Sequence, residues 1–377
     1  MSFTLRTLIV LAAVVVVRLD MYAATMSDSH DGVEWVISGC EEWGKIEKVR
    51  IGQENIPGVS DVRIPGTIGN WKIREIASRA FSRQTKLTSV YIPETVRKVG
   101  DEAFRSCVSL TNVIFSSRQN GREGVQIIGC RAFMNCTALS GVQLPDSLSS
   151  IAGEAFGGCC NLREITLPGE LMLLDGGAFD RCTILERIYL PFMVNLRLNP
   201  FTRCPGLKII EVDPLNENLR VKDGILFCND GSGIYSYPAA RKGDVLKIPS
   251  GVEWIAPFAF SDTVNLKEII LPNSLRELGN GAFARSGVRS LVIPDRVERL
   301  GDGAFMHSQV TNIVLGVALK DIGRICFLGC ARLQEIRFRG GAPKVMDDFA
   351  APSNCVIRVD RVHGEDAGGR RSHVIKE

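Results

Sequence analysis

From Leu87 the chain reads LTSVYIPETVRKVGDEAFRSC. Leu87, Val90 and Ile92 are apolar, and the run ends in the strict alternation of a half-buried strand. Pro93 stops the ladder, because it has no N–H to donate. Val96 and Val99 form a second short apolar pair, and Phe104 follows on a tight turn or a single helical turn. No segment of the unit is long enough for an ordinary helix.

The same succession returns along the chain. Ala-Phe pairs place phenylalanines at 81, 104, 133, 156, 179, 260, 283 and 305, and Phe201 and Phe327 keep the phenylalanine after Pro200 and Cys326. Successive gaps are 23, 29, 23, 23, 22, 59, 23, 22 and 22 residues. Leu87, Leu110, Leu139, Leu162, Leu185, Leu207, Leu266 and Leu333 keep step, with Val288 and Val310 in the same slot. A proline after an apolar residue does so too, at 65, 93, 145, 168, 191, 249, 272 and 294. A unit this short cannot bury its own apolar face but can bury it against copies of itself. The pattern therefore predicts a repeat solenoid, mostly β, of about ten to twelve coils of about 22–23 residues. The polar insertion SSRQNGREG explains the 29-residue gap. The 59-residue gap holds one coil plus a hairpin, with Ile225–Cys228 and Ile234–Tyr237 flanking the turn-former NDGSG.

These markers resemble leucine-rich repeats of the bacterial surface-antigen (BspA-like) class, whose phrase is approximately L-x-x-[IV]-x-[IL]-P-x-x-[VL]-x-x-I-G-x-x-A-F-x-x-C. The resemblance covers residues 61–338, with departures at Ser116 and Gly316, where the proline is missing. It implies a leucine-rich-repeat array that is secreted or displayed at the cell surface and binds macromolecules. It brings no catalytic residues. The expected organisation is a signal peptide over 1–26, an N-terminal β cap over 27–60, repeats over 61–212, a hairpin coil over 213–247, repeats over 248–338, and a C-terminal cap with a loose tail over 339–377. The cap is read as two strands, VEWVISG and KIEKVRIG, and CVIRVDRV as the last strand of the array.

Composition changes this picture little. Apolar residues make up 45% of 377, and the net charge of +3 comes from interspersed acids and bases. No block of like charge suggests a nucleic-acid partner. Arg6 precedes an apolar run from Leu8 to Val17, about right for a signal-peptide core and too short to span a bilayer. The cleavage site that YAATM offers is poor, and a buried N-terminal strand or helix is the competing reading. No second long apolar stretch follows, so membrane insertion of the mature chain is not expected, and the mature chain is expected to be a soluble monomer.

Six of the twelve cysteines stand three residues after the coil phenylalanine: Cys107, Cys136, Cys159, Cys182, Cys204 and Cys330. Thr263, Ser286, Ser308 and Gln84 occupy the same slot, so packing of a small side chain accounts for it better than a disulfide or a metal does. The four histidines are scattered, no C-x-x-C exists, and neither a metal nor a cofactor is expected. Cys40, Cys228 and Cys355 lie outside the ladder and are the candidates for a disulfide. Gly100, Gly129, Gly279, Gly301 and Gly323 share a slot with Ala77, Ala152, Asp175 and Ala256, which asks for small size rather than positive φ.

The third and fifth residues of each first strand should point outward. The fifth is Tyr91, Ile114, Gln143, Thr166, Tyr189, Glu211, Ile270, Val292, Val314 and Arg337 in successive coils. Plain β-propensity accounts for Tyr, Ile and Val there, and so does a binding face. The two residues after each proline are usually polar, but at Phe192-Met193 they are apolar, either as an interface patch or because the irregular coil that follows covers them. The candidate binding residues are therefore Tyr91, Tyr189, Phe192, Met193, Ile270, Val292 and Val314. No nucleophile with a base, carboxylate pair or metal set stands apart from the repeat, so an enzyme is not expected. The expectation is an adhesion-like binder of proteins or surface glycans. The alternative is an intracellular interaction scaffold, should the N-terminal run not be a signal.

Overall fold

The computed structural model describes the backbone of residues 24–30, 33–40, 43–51, 60–116, 123–340, 349–360 and 373–375, and side chains within 60–116, 123–340 and 349–360. It is a β-solenoid of about 12 turns of ~23 residues, with no helix among the described residues. The expected signal peptide lies outside them, except that Ala24–Met26 already belong to the first strand.

Each coil has three hydrogen-bonded sides. In the coil from Leu87, the first strand Ser89–Ile92 buries Val90 and Ile92 and pairs in parallel with Asp61–Arg63 and Asn112–Phe115. After the Pro93 corner, Lys98–Val99 pairs in parallel with Glu75–Ile76 and Ile127–Ile128. The turn carrying Phe104 then bonds to the next coil at alternate residues: Glu102, Phe104 and Ser106 donate N–H to the carbonyls of Cys130, Ala132 and Met134. The backbone is thus satisfied coil against coil, the condition for burying it.

The turn side needs left-handed backbone on both sides of the Ala-Phe pair. Glu102 and Ser106 have φ of 56° and 60°, and Arg131 and Asn135 repeat this at 56° and 60°. Gly100 is not among the positive-φ residues; a Cβ there would stand 2.6 Å from the Ile76 carbonyl oxygen of the preceding coil. The small-residue slot is a close approach, as its alanines indicate.

The phenylalanines stack face to face through the coils. One run links Phe81, Phe104, Phe133, Phe156, Phe179 and Phe201 with centroids 4.7–6.1 Å apart. A second links Tyr237, Phe260, Phe283, Phe305 and Phe327 at 5.2–5.6 Å. Tyr237 therefore takes the phenylalanine slot inside the 59-residue gap, its N–H donating to Ala259 as Phe81 donates to Ala103.

The cap and the insertion each hold one strand more than the pattern suggests. Ala24–His30, Val33–Cys40 and Trp43–Ile51 are three antiparallel strands, the last pairing in parallel with Trp71–Ile76. The hairpin coil is a three-strand meander, Leu219–Lys222, Ile225–Cys228 and Gly233–Ser236, and its last strand rejoins the solenoid beside Trp254–Ile255. Next to it, Asn199 donates to the Pro257 carbonyl at 3.2 Å and the Arg203 guanidinium sits over the Phe258 ring. At the C-terminal end Val356–Val359 continues the parallel ladder as expected. The tail read as loose contributes a strand, His373–Ile375, whose backbone pairs antiparallel with Val356–Val359.

All eleven described cysteines are free thiols, Cys228 and Cys355 among them; the Cys40 side chain lies outside the described residues. Cys107, Cys136, Cys159, Cys182, Cys204 and Cys330 donate Sγ–H to the phenylalanine carbonyl of the preceding coil at 2.9–3.4 Å. Stacked coils hold these side chains parallel, each aimed at a carbonyl rather than at its neighbour.

Candidate binding surface

Alternation along the first strands sends one set of side chains into the core and the other outward. Val90, Val113, Ile188, Ile269, Leu291 and Ile313 are buried, while Ile114, Tyr189, Ile270 and Val292 are exposed and Val314 is half-buried. The first strands fall into three sheets joined by single bridges at most, and within a sheet paired outward residues line up: Val292 stands beside Val314, and Ile270 beside Lys247.

The candidate residues fall into three groups rather than one site. Tyr91 lies near the start of the array under the Arg63 guanidinium, 4.8 Å from its ring centroid. Tyr189, Phe192 and Met193 share one coil. The Tyr189 hydroxyl donates to the Asp213 carboxylate at 2.6 Å, which pushes the phenol up and holds the carboxylate low. Phe192 is 44% exposed, so the following coil does not cover it. That coil grips the corner from beneath instead: the buried Asn216 amide donates to the carbonyls of Pro191 and Val194. Ile270, Val292 and Val314 form the third group.

Beside the third group is a hollow of about 590 Å³ between the coils of Ile270 and Val292. Its lining adds Lys267, Arg289, Asn273, Asp295 and Arg339, none of which apolar periodicity singles out. Arg339 reaches Asp295 at 3.1 Å from two coils away, a contact across stacked units that a reading of one unit at a time cannot contain. Among the described residues no group of three or more His, Cys, Asp or Glu could hold a metal ion, and no helix is long and apolar enough to cross a membrane.

The BspA type leucine rich repeat region matches residues 63–121, 119–222 and 236–350, in six copies. The unmatched stretch between 222 and 236 falls in the three-strand meander. Among solved structures, a leucine rich cell surface protein from Faecalibacterium prausnitzii is 25% identical over 84% of this chain and 95% of its own, with a TM-score of 0.60. The pneumococcal vaccine antigen PcpA is 22% identical over 89% of this chain and 93% of its own, with a TM-score of 0.67. A leucine-rich repeat protein from Eubacterium ventriosum is 18% identical over 89% and 93%, at 0.55. No curated protein matches the chain.

Proposed function

The chain belongs to the BspA-type leucine-rich repeat family, and from that premise we propose that it is a non-catalytic, adhesion-like protein of the secreted or cell-surface kind. It binds proteins or surface glycans through the outward side chains of its first strands. The observation that carries this reading is the contrast within single strands. Ile269 and Leu291 are buried, while their neighbours Ile270 and Val292 stand 46% and 48% exposed on the outward side. Apolar side chains held outward by a rigid ladder are the material of an interface core. The likeness to a leucine rich cell surface protein over most of both chains supports the location.

Eleven free thiols favour a second reading, an intracellular scaffold, since export usually brings disulfides. The burial of seven of them weakens it, although Cys130, Cys160, Cys228 and Cys355 are partly exposed: Cys107, Cys136, Cys159 and Cys182 are fully enclosed, with the thiols pushed up by desolvation, so an oxidising medium cannot reach these four. Mass spectrometry of the mature N-terminus separates the two. Cleavage near residue 24 supports export, and an intact N-terminus supports the scaffold. Binding itself is tested by probing the immobilised full chain with extracellular proteins and surface glycans. Retention that weakens on Tyr189→Ser or Ile270→Ser is expected, and retention indifferent to both would place the binding face elsewhere.

A further inference from the structure

The ladder of first strands parts beside the hollow. Glu268–Ile270 and Ser290–Val292 share one register pair, Glu268 with Ser290, whereas the pairings on either side of them each share three. On those sides Ile248 N–H donates to Ile270 at 3.0 Å and Ile293 N–H to Val314 at 2.8 Å; the equivalent bond from Leu271 N–H to Val292 C=O is not made. The parting falls where the loop ahead of the strand shortens, from Thr263–Leu266 to Ser286–Val288, so the later strand arrives one residue early. A main-chain donor and a main-chain acceptor are thereby left without each other at the edge of a cavity, where a main-chain partner can complete them.

The side chains around the opening are of two kinds. Ile270 and Val292 give it an exposed apolar floor. Its charged lining is Lys267, Arg289 and Arg339 against Glu268 and Asp295. Arg339 and Asp295 neutralise each other at 3.1 Å, and Lys267 is turned onto the Val264 carbonyl. Arg289 and Glu268 are both exposed and neither has an ion-pair partner among the described residues, so one guanidinium fork and one carboxylate face out beside the floor, and with Lys267 the lining keeps an excess of positive charge.

We propose that this hollow recognises an extended peptide segment in which an aspartate or glutamate neighbours an aliphatic residue. The assignment rests on reading the chain as a binding protein. The peptide's main chain offers a carbonyl to Leu271 N–H and an N–H to Val292 C=O. Its aliphatic side chain covers Ile270 and Val292, and its carboxylate takes the Arg289 fork in a charge-assisted pair. An anionic glycan could use Arg289 but has no aliphatic side chain to cover the floor.

The test is selection of displayed random linear peptides on the full chain, followed by fluorescence anisotropy with the synthetic winners. Enriched sequences should carry Asp or Glu beside Val, Ile or Leu. Arg289→Glu and Val292→Asp should each weaken them by about ten- to a hundredfold, the equivalent of one charged hydrogen bond. Met172→Ala, an exposed side chain away from the hollow, should leave them unchanged. The milder Arg289→Ala and Val292→Ser should follow the same direction with an unaltered circular dichroism spectrum, which guards against misfolding. Winners that are basic, or acidic winners that bind Arg289→Glu as tightly, would overturn the proposal. A heparin fragment that binds through Arg289 when no peptide is enriched would overturn the peptide assignment and leave the binding protein standing, as would peptides lost only on Phe192→Ala. If neither peptide nor glycan binds any face, the reading of the chain as a binder falls together with this site.

Discussion

The Cys182 thiol donates to the carbonyl of Phe156, one coil back, at 3.3 Å. Five more cysteines repeat the bond, so the slot is filled by a side chain long enough to cross between coils. Serine is not long enough everywhere. The Ser286 hydroxyl is fully buried and without a partner, and Thr263 turns instead to Phe260 of its own coil at 2.7 Å. Ser286→Cys should therefore remove an unsatisfied buried hydroxyl and gain about 1 kcal/mol, and Cys182→Ser should fold but lose about 1 kcal/mol. Urea midpoints decide both; a loss on Ser286→Cys would show that the slot selects for small volume alone.

The same thiols set an alkaline limit. Burial pushes Cys107 and Cys159 up to about 12 from an ordinary 9.0. A value raised in the folded state means that the unfolded chain loses its thiol protons first. The stabilisation is thus complete below about pH 9 and drains away as pH climbs toward 12, by about 1.4 kcal/mol per pH unit for each such thiol. Unfolding midpoints measured from pH 8 to 11 should fall steeply above 9, and Cys159→Ser should flatten the fall. A curve that the substitution does not change would remove the thiols as its cause.

Ile325 sits at φ 49° in the left-handed slot that Gly281 and Gly303 fill in the two preceding coils. A β-branched residue is a poor occupant of that region, and its side chain is 36% exposed, so little burial repays the strain. Ile325→Gly should stabilise by about 0.5 to 1 kcal/mol, the relief of the left-handed strain less the backbone entropy that glycine loses. Ile325→Val should bring no gain. Calorimetry of the two variants against the parent chain tests the sign.

The coil itself is legible from the Ala-Phe, Leu and Pro markers, because each reports a core position that every repeat must fill. Tyr237 escaped them, although it stands 23 residues before Phe260, because a tyrosine without a preceding alanine breaks the marker. Phe349 escaped likewise; it closes the stack edge-on against Phe327 as the terminal aromatic. The left-handed turns are hidden because Arg, Glu, Asn and Gly all occupy them, so no residue type announces the conformation. The hollow is hidden for a different reason. It arises from a one-residue difference between adjacent loops and from Arg339 reaching back to Asp295, and neither is a property of a single unit.

Phe156 and Phe192 separate the core from the surface. Phe156 is fully buried, stacked between Phe133 and Phe179 at 5.3 and 5.6 Å. Phe156→Ala empties the centre of that stack and should cost about 3 to 5 kcal/mol. Because each coil rests only on its neighbours, amide exchange should quicken first in the coils of Phe133, Phe156 and Phe179. Phe192 stands on a corner whose backbone is held by Asn216, not by the phenyl ring, so its truncation should cost less than about 1 kcal/mol. If Phe192 belongs to an interface, Phe192→Ala will weaken a macromolecular partner while its unfolding midpoint stays near that of the parent. A midpoint as low as that of Phe156→Ala would instead make Phe192 part of the core, and an unchanged midpoint with unchanged binding would leave the corner without a role in recognition.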